Sequence, residues 1–443
     1  MLLRQAFLDF MEKLLRNGMD GVELYHREDD AMEVLVRERK VEKLEESSSR
    51  GLGVRALKAG RLAFTYTTDF SATGLREVEE TLDSVLSVIE PDEHNLLAPK
   101  EEVEEVDIAA ADDAEIGPHW LTEQAREMEQ SALQVDGVKR VAEARASSRR
   151  SSVWLANSNG VELANTLTAY SLSVEALAEG ADGLEQAYSY SVRRLRRELF
   201  APKRLGQEAG SLAVSLLGGK PVASGERTVV FTPLAAGQLL SFLAQALDGE
   251  QVNMGVSFLA GKMGEAIGSE LVNLREDPLL PGGIESALWD GEGVPTRRKD
   301  VVAQGIIKYY FHNLYSAHRA GMEPTGNAQR AGYSGVPAIG TYNLHILNGT
   351  TPVDELLAEI DDGFLVHDMM GRGLDVTSGM FSAGARGWCI RQGKVAEPVS
   401  KVTIAAQMLD LLHDIDGVGD DLDLTRPFYA PTLRVKKMMV AGQ

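Results

Sequence analysis

Residues 231–249 read FTPLAAGQLLSFLAQALDG, an apolar strand end running straight into a helix. The strand is Thr228-Val229-Val230-Phe231. Pro233 suits the first helical turn, because the N–H it lacks has no partner there. Leu239, Leu240, Leu243 and Leu247 recur at spacings of three and four and so share one buried face. Gly249 is expected to end the run as a C-terminal glycine. The helix carries no chemistry: no His, Cys, Asp or Glu lies between Pro233 and Leu247.

Downstream of this helix, short apolar runs (Ile306–Phe311, Trp388–Ile390, Val402–Ile404) are separated by glycine-rich stretches, which predicts a mixed sheet with short helices on it. Upstream, Leu2, Leu3, Phe7, Phe10, Met11, Leu14 and Leu15 form one face of a first helix. Four alternating segments follow, Val22–His26, Met32–Arg39, Gly53–Lys58 and Leu62–Thr67, with the period of two of half-covered strands. Ser71 is placed to cap a second helix that ends before Pro91. Residues 92–118 are acidic and poor in large apolar groups, the pattern of a long loop. A helix over Trp120–Gln134, an antiparallel meander over Val138–Arg194 and a helix over Leu205–Leu217 complete this half. Helices and strands come in blocks, so the fold class is α+β. Gly218-Gly219-Lys220-Pro221 marks the expected boundary between an N-terminal domain, 1–220, and a C-terminal mixed-sheet domain, 221–443.

A chain of 443 residues with 44% hydrophobic and 25% charged residues is a globular protein long enough for two cores. Its net charge of −21 argues against a direct grip on nucleic acid, which needs a basic footprint. Asp9 and Glu12 interrupt the first apolar stretch, which is therefore neither a signal peptide nor a membrane span, and a cytoplasmic location is expected. A lone cysteine, Cys389, excludes an internal disulfide and a cysteine-rich zinc site.

The usual catalytic patterns are missing. The eight histidines are scattered, and none is followed by glutamate. His312 and His318 are six apart, about 120° off one helical face. His94 and His119 have no spaced partners. His367 and Asp368 are adjacent, and neighbours on an extended chain point to opposite faces. Cys389 sits between Trp388 and Ile390 as a small hydrophobe would. No spacing fits a nucleophile elbow or a phosphate loop.

Several longer stretches are more specific. Gly255-Val256-Ser257-Phe258-Leu259-Ala260-Gly261-Lys262-Met263-Gly264-Glu265, Trp289-Asp290-Gly291-Glu292-Gly293-Val294-Pro295-Thr296, Tyr315-Ser316-Ala317, Thr325-Gly326-Asn327-Ala328 and Ser378–Trp388 resemble, in order, the TldD/PmbA family. Leu44–Val54 and Val153–Gly160 match more loosely. The resemblance implies a zinc metalloprotease scaffold in which one branch carries an HExxxH helix and a cysteine near the C-terminus. Laid on this chain, those positions fall on Ser241, Phe242, Ala246 and Gly417. None offers a zinc donor or a general base. That is the pattern of the other branch, TldE (PmbA), a metal-free subunit that pairs with the zinc-bearing one.

The resemblance therefore implies a non-catalytic subunit of a heteromeric cytoplasmic metalloprotease, with zinc in a TldD-like partner and none in this chain. Unfolded peptides are the implied substrates, and microcin maturation, antitoxin turnover and gyrase modulation the associated processes. A homodimer is the alternative state of the isolated chain. Two other classes compete: a stand-alone hydrolase using His312, His318 or His367, and an acidic regulatory interaction protein. If the scaffold geometry matches, restoring His, Glu, His and Cys at the four positions is expected to recover a zinc site.

Overall fold

The computed structural model describes residues 2–112, 116–181, 183–424 and 429–442. Its first half is one antiparallel sheet in the order β3-β2-β1-β4-β5-β6. After helix α1 (Leu2–Arg16) come β1 (Gly21–Arg37), β2 (Lys40–Lys58) and β3 (Arg61–Thr67). Helices α2 (Ala72–Val88) and α3 (Pro118–Ala132) lead to β4 (Val138–Asn157), β5 (Glu162–Gly180), β6 (Gly183–Arg193) and α4 (Pro202–Ser215). Ser71 caps α2 by accepting from the Gly74 N–H. No regular element lies between α2 and α3 among the described residues, in keeping with the acidic loop expected there.

Strand parity organises this half. Val22, Leu24, Val34 and Val36 share one face of β1. The first two pack with Phe7, Phe10 and Leu14 of α1 and Val78 and Leu82 of α2. The second two pack with Leu121 and Met128 of α3 and Leu205 and Ala209 of α4. Two helical pairs thus cover opposite ends of one sheet face. The other face, carrying Glu23 and Tyr25, turns toward the second half of the chain.

The strands are longer than the alternation predicts. Val22–His26 and Met32–Arg39 fuse into β1, because β4 pairs without interruption from Glu23 to Val36. The polar stretch between them is stabilised locally, with Arg27 forked onto Asp29 at 2.7 and 2.8 Å. Lys40–Arg50 of β2 is exposed on both faces and so has no alternation to read, yet it pairs along β1.

The second half holds a mixed sheet that closes on itself. Its strands β7 (Gly225–Phe231), β14 (Asp362–Leu374), β15 (Met380–Arg391), β16 (Lys394–Gln407) and β18 (Leu433–Ala441) run in the order β16-β15-β14-β7-β18. Pairing of Thr403–Ala405 with Met439–Ala441 joins β16 to β18 and completes a barrel. Among the described strands of this barrel, only β7 and β14 pair in parallel. Strand β17 (Ile415–Val418) pairs with β18 outside the ring. Between β7 and β14 the chain forms α5 (Pro233–Ala246), α6 (Gly249–Asn253), β8 (Leu274–Glu276), β9 (Lys299–Ala303), β10 (Ile306–Ile307), α7 (Leu314–Ala320), β11 (Ala328–Gln329), β12 (Ala338–Ile339), β13 (Leu344–Ile346) and α8 (Val353–Ala358). A last helix, α9 (Met408–His413), precedes β17. Of the run Ile306–Phe311, only Ile306–Ile307 is strand.

Val229 and Phe231 of β7 join the core that contains α5, whereas Val230 points outward to Leu357 and Ile360 at α8. The class is α+β, with an antiparallel N-terminal sheet and a mixed C-terminal barrel.

Candidate functional site

Helix α5 begins where the Thr232 hydroxyl accepts from the Ala235 N–H at 3.4 Å and donates to the His367 carbonyl at 3.0 Å. That double contact ties the helix start to β14. Leu239, Leu240 and Leu243 are buried as the spacing predicts. The helix ends earlier than expected: Gly249 opens α6 instead of closing α5. The reason is Asp248, whose carboxylate accepts from the Glu250 and Gln251 N–H groups at 2.8 and 3.1 Å and caps a new helix.

The face of α5 toward β14 holds Gln238, Ser241 and Phe242. Strand β7 pairs with β14 only over Gly363–Val366. Beyond that, the Gln238 side chain takes the place of a strand. Its Oε1 accepts from the Met369 N–H at 2.9 Å, and its Nε2 donates to the Met369 carbonyl at 3.4 Å. Phe242 lies on Gly373, where an added Cβ would come within 2.3 Å of the ring. The ring also tilts against Phe381, centroids 6.0 Å apart. The Ser241 hydroxyl donates to the Gln238 carbonyl at 2.7 Å, a bond within its own helix that leaves it no activating base. Ala246 is sealed in the core.

Gly417 is placed differently. A Cβ on it would point to Leu356 of α8, 2.7 Å away, and to Arg434. Its neighbour Val418 is the one that faces α5, packing with Leu239, Leu240 and Leu243. A one-residue step along a strand reverses the side-chain direction. Gly417 is therefore not brought together with Ser241, Phe242 and Ala246.

These residues do not fit the zinc that the family resemblance implies. Hydroxyl, phenyl, methyl and glycine groups supply no imidazole, thiolate or carboxylate. Among the described residues no three His, Cys, Asp or Glu side chains are grouped to hold a metal.

The remaining candidates are spread over the fold. His312 is buried, shares a contact at 3.0 Å between its Nδ1 and the Ser316 hydroxyl, and lies against Gly249. Burial lowers its pKa to about 4. His318 lies in the last turn of α7, which begins two residues after His312, and meets His94, not His312. Asp368 does not orient His367: its carboxylate is gripped by Arg386 through Nε at 3.0 Å and Nη2 at 2.7 Å. The His367 ring stands edge-on to Trp388. Cys389 is buried, which pushes its thiol up to about 11, far from a thiolate at neutral pH.

Sequence patterns gave no warning of the ionic cluster that joins the two halves. Glu23 of β1 pairs with Arg55 of β2 at 3.0 Å and with Arg330. Arg55 also reaches Glu292 at 2.8 Å, and Arg330 stacks over Tyr25. All four charged side chains are buried. Glu292 belongs to the Trp289–Thr296 motif, so a stretch singled out for family resemblance works here as a joint.

Three family profiles match in chain order: the PmbA/TldA metallopeptidase domain 1 over residues 22–89, the central domain over 111–217 and the C-terminal domain over 224–442. The chain belongs to the PmbA/TldD family. Its relatives place it on the PmbA branch. It is 28% identical to the metalloprotease PmbA of Escherichia coli O157:H7, over 100% of this chain and 96% of that protein. It is 27% identical to a PmbA homolog of Haemophilus influenzae, over 99% and 96%. Among solved structures, a proposed modulator of a DNA gyrase from Thermotoga maritima superposes with a TM-score of 0.88 at 26% identity, covering 98% of this chain and 100% of that one. TldE from Thermococcus kodakarensis has the same fold, with a TM-score of 0.90 at 24% identity over 99% and 100%. No described helix of this family member is long and apolar enough to cross a membrane.

Proposed function

We propose that this chain is the non-catalytic subunit of a heteromeric, cytoplasmic TldD/TldE-type metalloprotease. Zinc and its ligands would reside in a TldD-like partner, and this subunit would help hold unfolded peptides for cleavage. The observation that carries the reading is Phe242 on Gly373. In a family named for metallopeptidases, the helix that follows the apolar strand presents an aromatic ring, a self-bonded serine and a buried alanine. In this reading Ser241, Phe242, Ala246 and, by its place near the C-terminus, Gly417 are vacated positions.

The proposed peptide contact follows from β14. Past Val366 its outer edge has no strand partner among the described residues, and Gln238 satisfies only Met369. An extended peptide laid along Met370–Leu374 would gain main-chain hydrogen bonds that do not depend on its sequence. Met370 is exposed there, and a methionine surface adapts to varied side chains. The working division is an N-terminal domain, 1–220, and a peptide-facing C-terminal domain, 221–443. Neither nucleic acid nor membrane is a proposed partner, and a homodimer is the proposed resting state without the partner.

The test is co-purification from the native cell, with zinc assayed in the complex and in each separated subunit, followed by peptide cleavage with and without this chain. The reading expects zinc in the partner alone and faster cleavage when both are present. Stoichiometric zinc retained by this chain after dialysis would overturn it, as would cleavage by the partner that is indifferent to this chain.

A further inference from the structure

The loop that follows α2 and the last turn of α7 meet at two imidazoles. The Nδ1 atoms of His94 and His318 lie 2.9 Å apart. Their rings are inclined at 64°, with centroids 5.1 Å apart. Local contacts hold the loop in place. One Asp92 oxygen accepts from the His94 backbone N–H at 2.9 Å, and the other accepts from the Tyr315 hydroxyl at 2.9 Å. The Tyr315 ring stands edge-on to His94. The nearby cation Arg319 is held by Glu250 at 2.6 Å. The His318 side of the pair is open to solvent.

Two ring nitrogens at hydrogen-bond distance attract only when one carries the hydrogen and the other offers its lone pair. The fold has therefore converged two imidazoles, from distant parts of the chain, around one shared point. Imidazole nitrogen is a preferred donor for borderline divalent metals. With metal–nitrogen bonds of about 2.0–2.1 Å, a separation of 2.9 Å corresponds to an angle of about 90° at the ion. That is the cis angle of tetragonal or octahedral coordination. A tetrahedral ion would require the nitrogens to spread to about 3.3 Å.

We propose that His94 and His318 form an exchangeable site for Cu2+ or Ni2+, with Zn2+ bound less tightly and water completing the shell. The ion would lie off the line between the nitrogens, each ring turning about its Cβ–Cγ bond. The imidazole that carried the shared hydrogen moves it to Nε2 through solvent, so both rings stay neutral and both Nδ1 lone pairs are free. Two protein donors suit a cation that comes and goes rather than a resident structural ion. Occupancy would clasp the loop after α2 to α7, across the two halves of the chain. The site shares no residue with α5 and stands or falls independently of the proposed protease role.

The experiment uses the tag-free, full-length chain. Cu2+ titrated to one equivalent should give an electron paramagnetic resonance spectrum with coupling to two imidazole nitrogens, and Ni2+ calorimetry should show one site. His94→Gln and His318→Gln, which keep a hydrogen-bonding side chain but ligate poorly, should each lower affinity at least tenfold with unchanged circular dichroism. Replacing the other exposed histidines, His119 and His413, should leave binding intact. Two-nitrogen coupling that survives in the His94→Gln/His318→Gln double variant would overturn the proposal. So would wild-type affinity no higher than that variant's.

Discussion

The packing of Phe242 on Gly373 can be weighed with a double-mutant cycle. Gly373 has φ +73°, so Gly373→Ala forces a side chain into the left-handed region, at about 1–2 kcal/mol. The new Cβ would also meet the Phe242 ring at 2.3–2.8 Å, and moving a packed ring aside costs about 1–3 kcal/mol. Phe242→Ala alone removes a half-buried ring, below the roughly 3–5 kcal/mol of a fully buried one. In the double variant the ring is gone, and only the backbone strain of an alanine at position 373 remains. The two losses should therefore fall short of additivity by about 1–3 kcal/mol. Urea denaturation of the four proteins reads this directly. Additivity within about 0.5 kcal/mol would show that the ring does not occupy the space above Gly373, and the vacated-site reading would lose its carrying observation.

Three further outcomes are expected. The chain carrying Ser241→His, Phe242→Glu, Ala246→His and Gly417→Cys should retain no stoichiometric zinc after dialysis. Position 246 is sealed in the core and position 417 opens toward α8, so elemental analysis showing one bound zinc would contradict this placement. His312 is held neutral by burial, its pKa lowered from 6.5 to about 4. The unfolded chain then takes up the proton first. This contribution to stability is complete above about pH 6.5 and is lost as pH falls toward 4, at no more than about 1.4 kcal/mol per pH unit. Denaturation between those values should show a steeper pH dependence in the wild type than in His312→Asn. Among the described residues, Glu23→Ala would leave Arg330 with only the Gly291 and Gly335 carbonyls as hydrogen-bond acceptors. A buried guanidinium that has lost its paired carboxylate predicts a loss of up to about 3–5 kcal/mol, measurable by the same denaturation.

How much of this was legible follows from where the signal was physical and local. The apolar lead-in, Pro233 and the leucine spacing predict α5 because each acts within one turn of helix. The same logic misplaced the helix end, since a capping aspartate at 248 competes with a terminal glycine at 249 and only the capped geometry shows which prevails. Strand boundaries in β1 and β2 failed for a different reason. Alternation reports one-sided burial, and the Lys40–Arg50 arm of β2, exposed on both faces, has none, although its backbone pairs along β1. The glycines of the second half read as punctuation, but at Gly373 the missing Cβ makes room for a ring from a helix more than a hundred residues earlier. Nothing in the sequence around either residue announces that contact.

The same limit explains the histidines. Spacing tests ask whether two residues share a helix face or a strand face, and His312 with His318 fails that test. His94 with His318 was beyond it, because a loop after α2 and a helix of the second half meet only when the two halves dock. Beside the apolar cluster of Tyr25, Val153, Leu155, Val294 and Leu314, that joint buries Glu23, Arg55, Glu292 and Arg330, charges whose burial is favourable only as a set. Each looks like an ordinary surface residue in a chain with a net charge of −21. The residues that look most like chemistry in one dimension, Cys389 and the His367–Asp368 pair, are buried as a thiol or committed to Trp388 and Arg386. The helix that looks empty is where fold and family converge. Helix α5 packs into the core of the barrel half, and Gln238 occupies the edge of β14 at Met369. In the function proposed above, this chain keeps a peptide-facing surface along β14 while the metal belongs to another subunit.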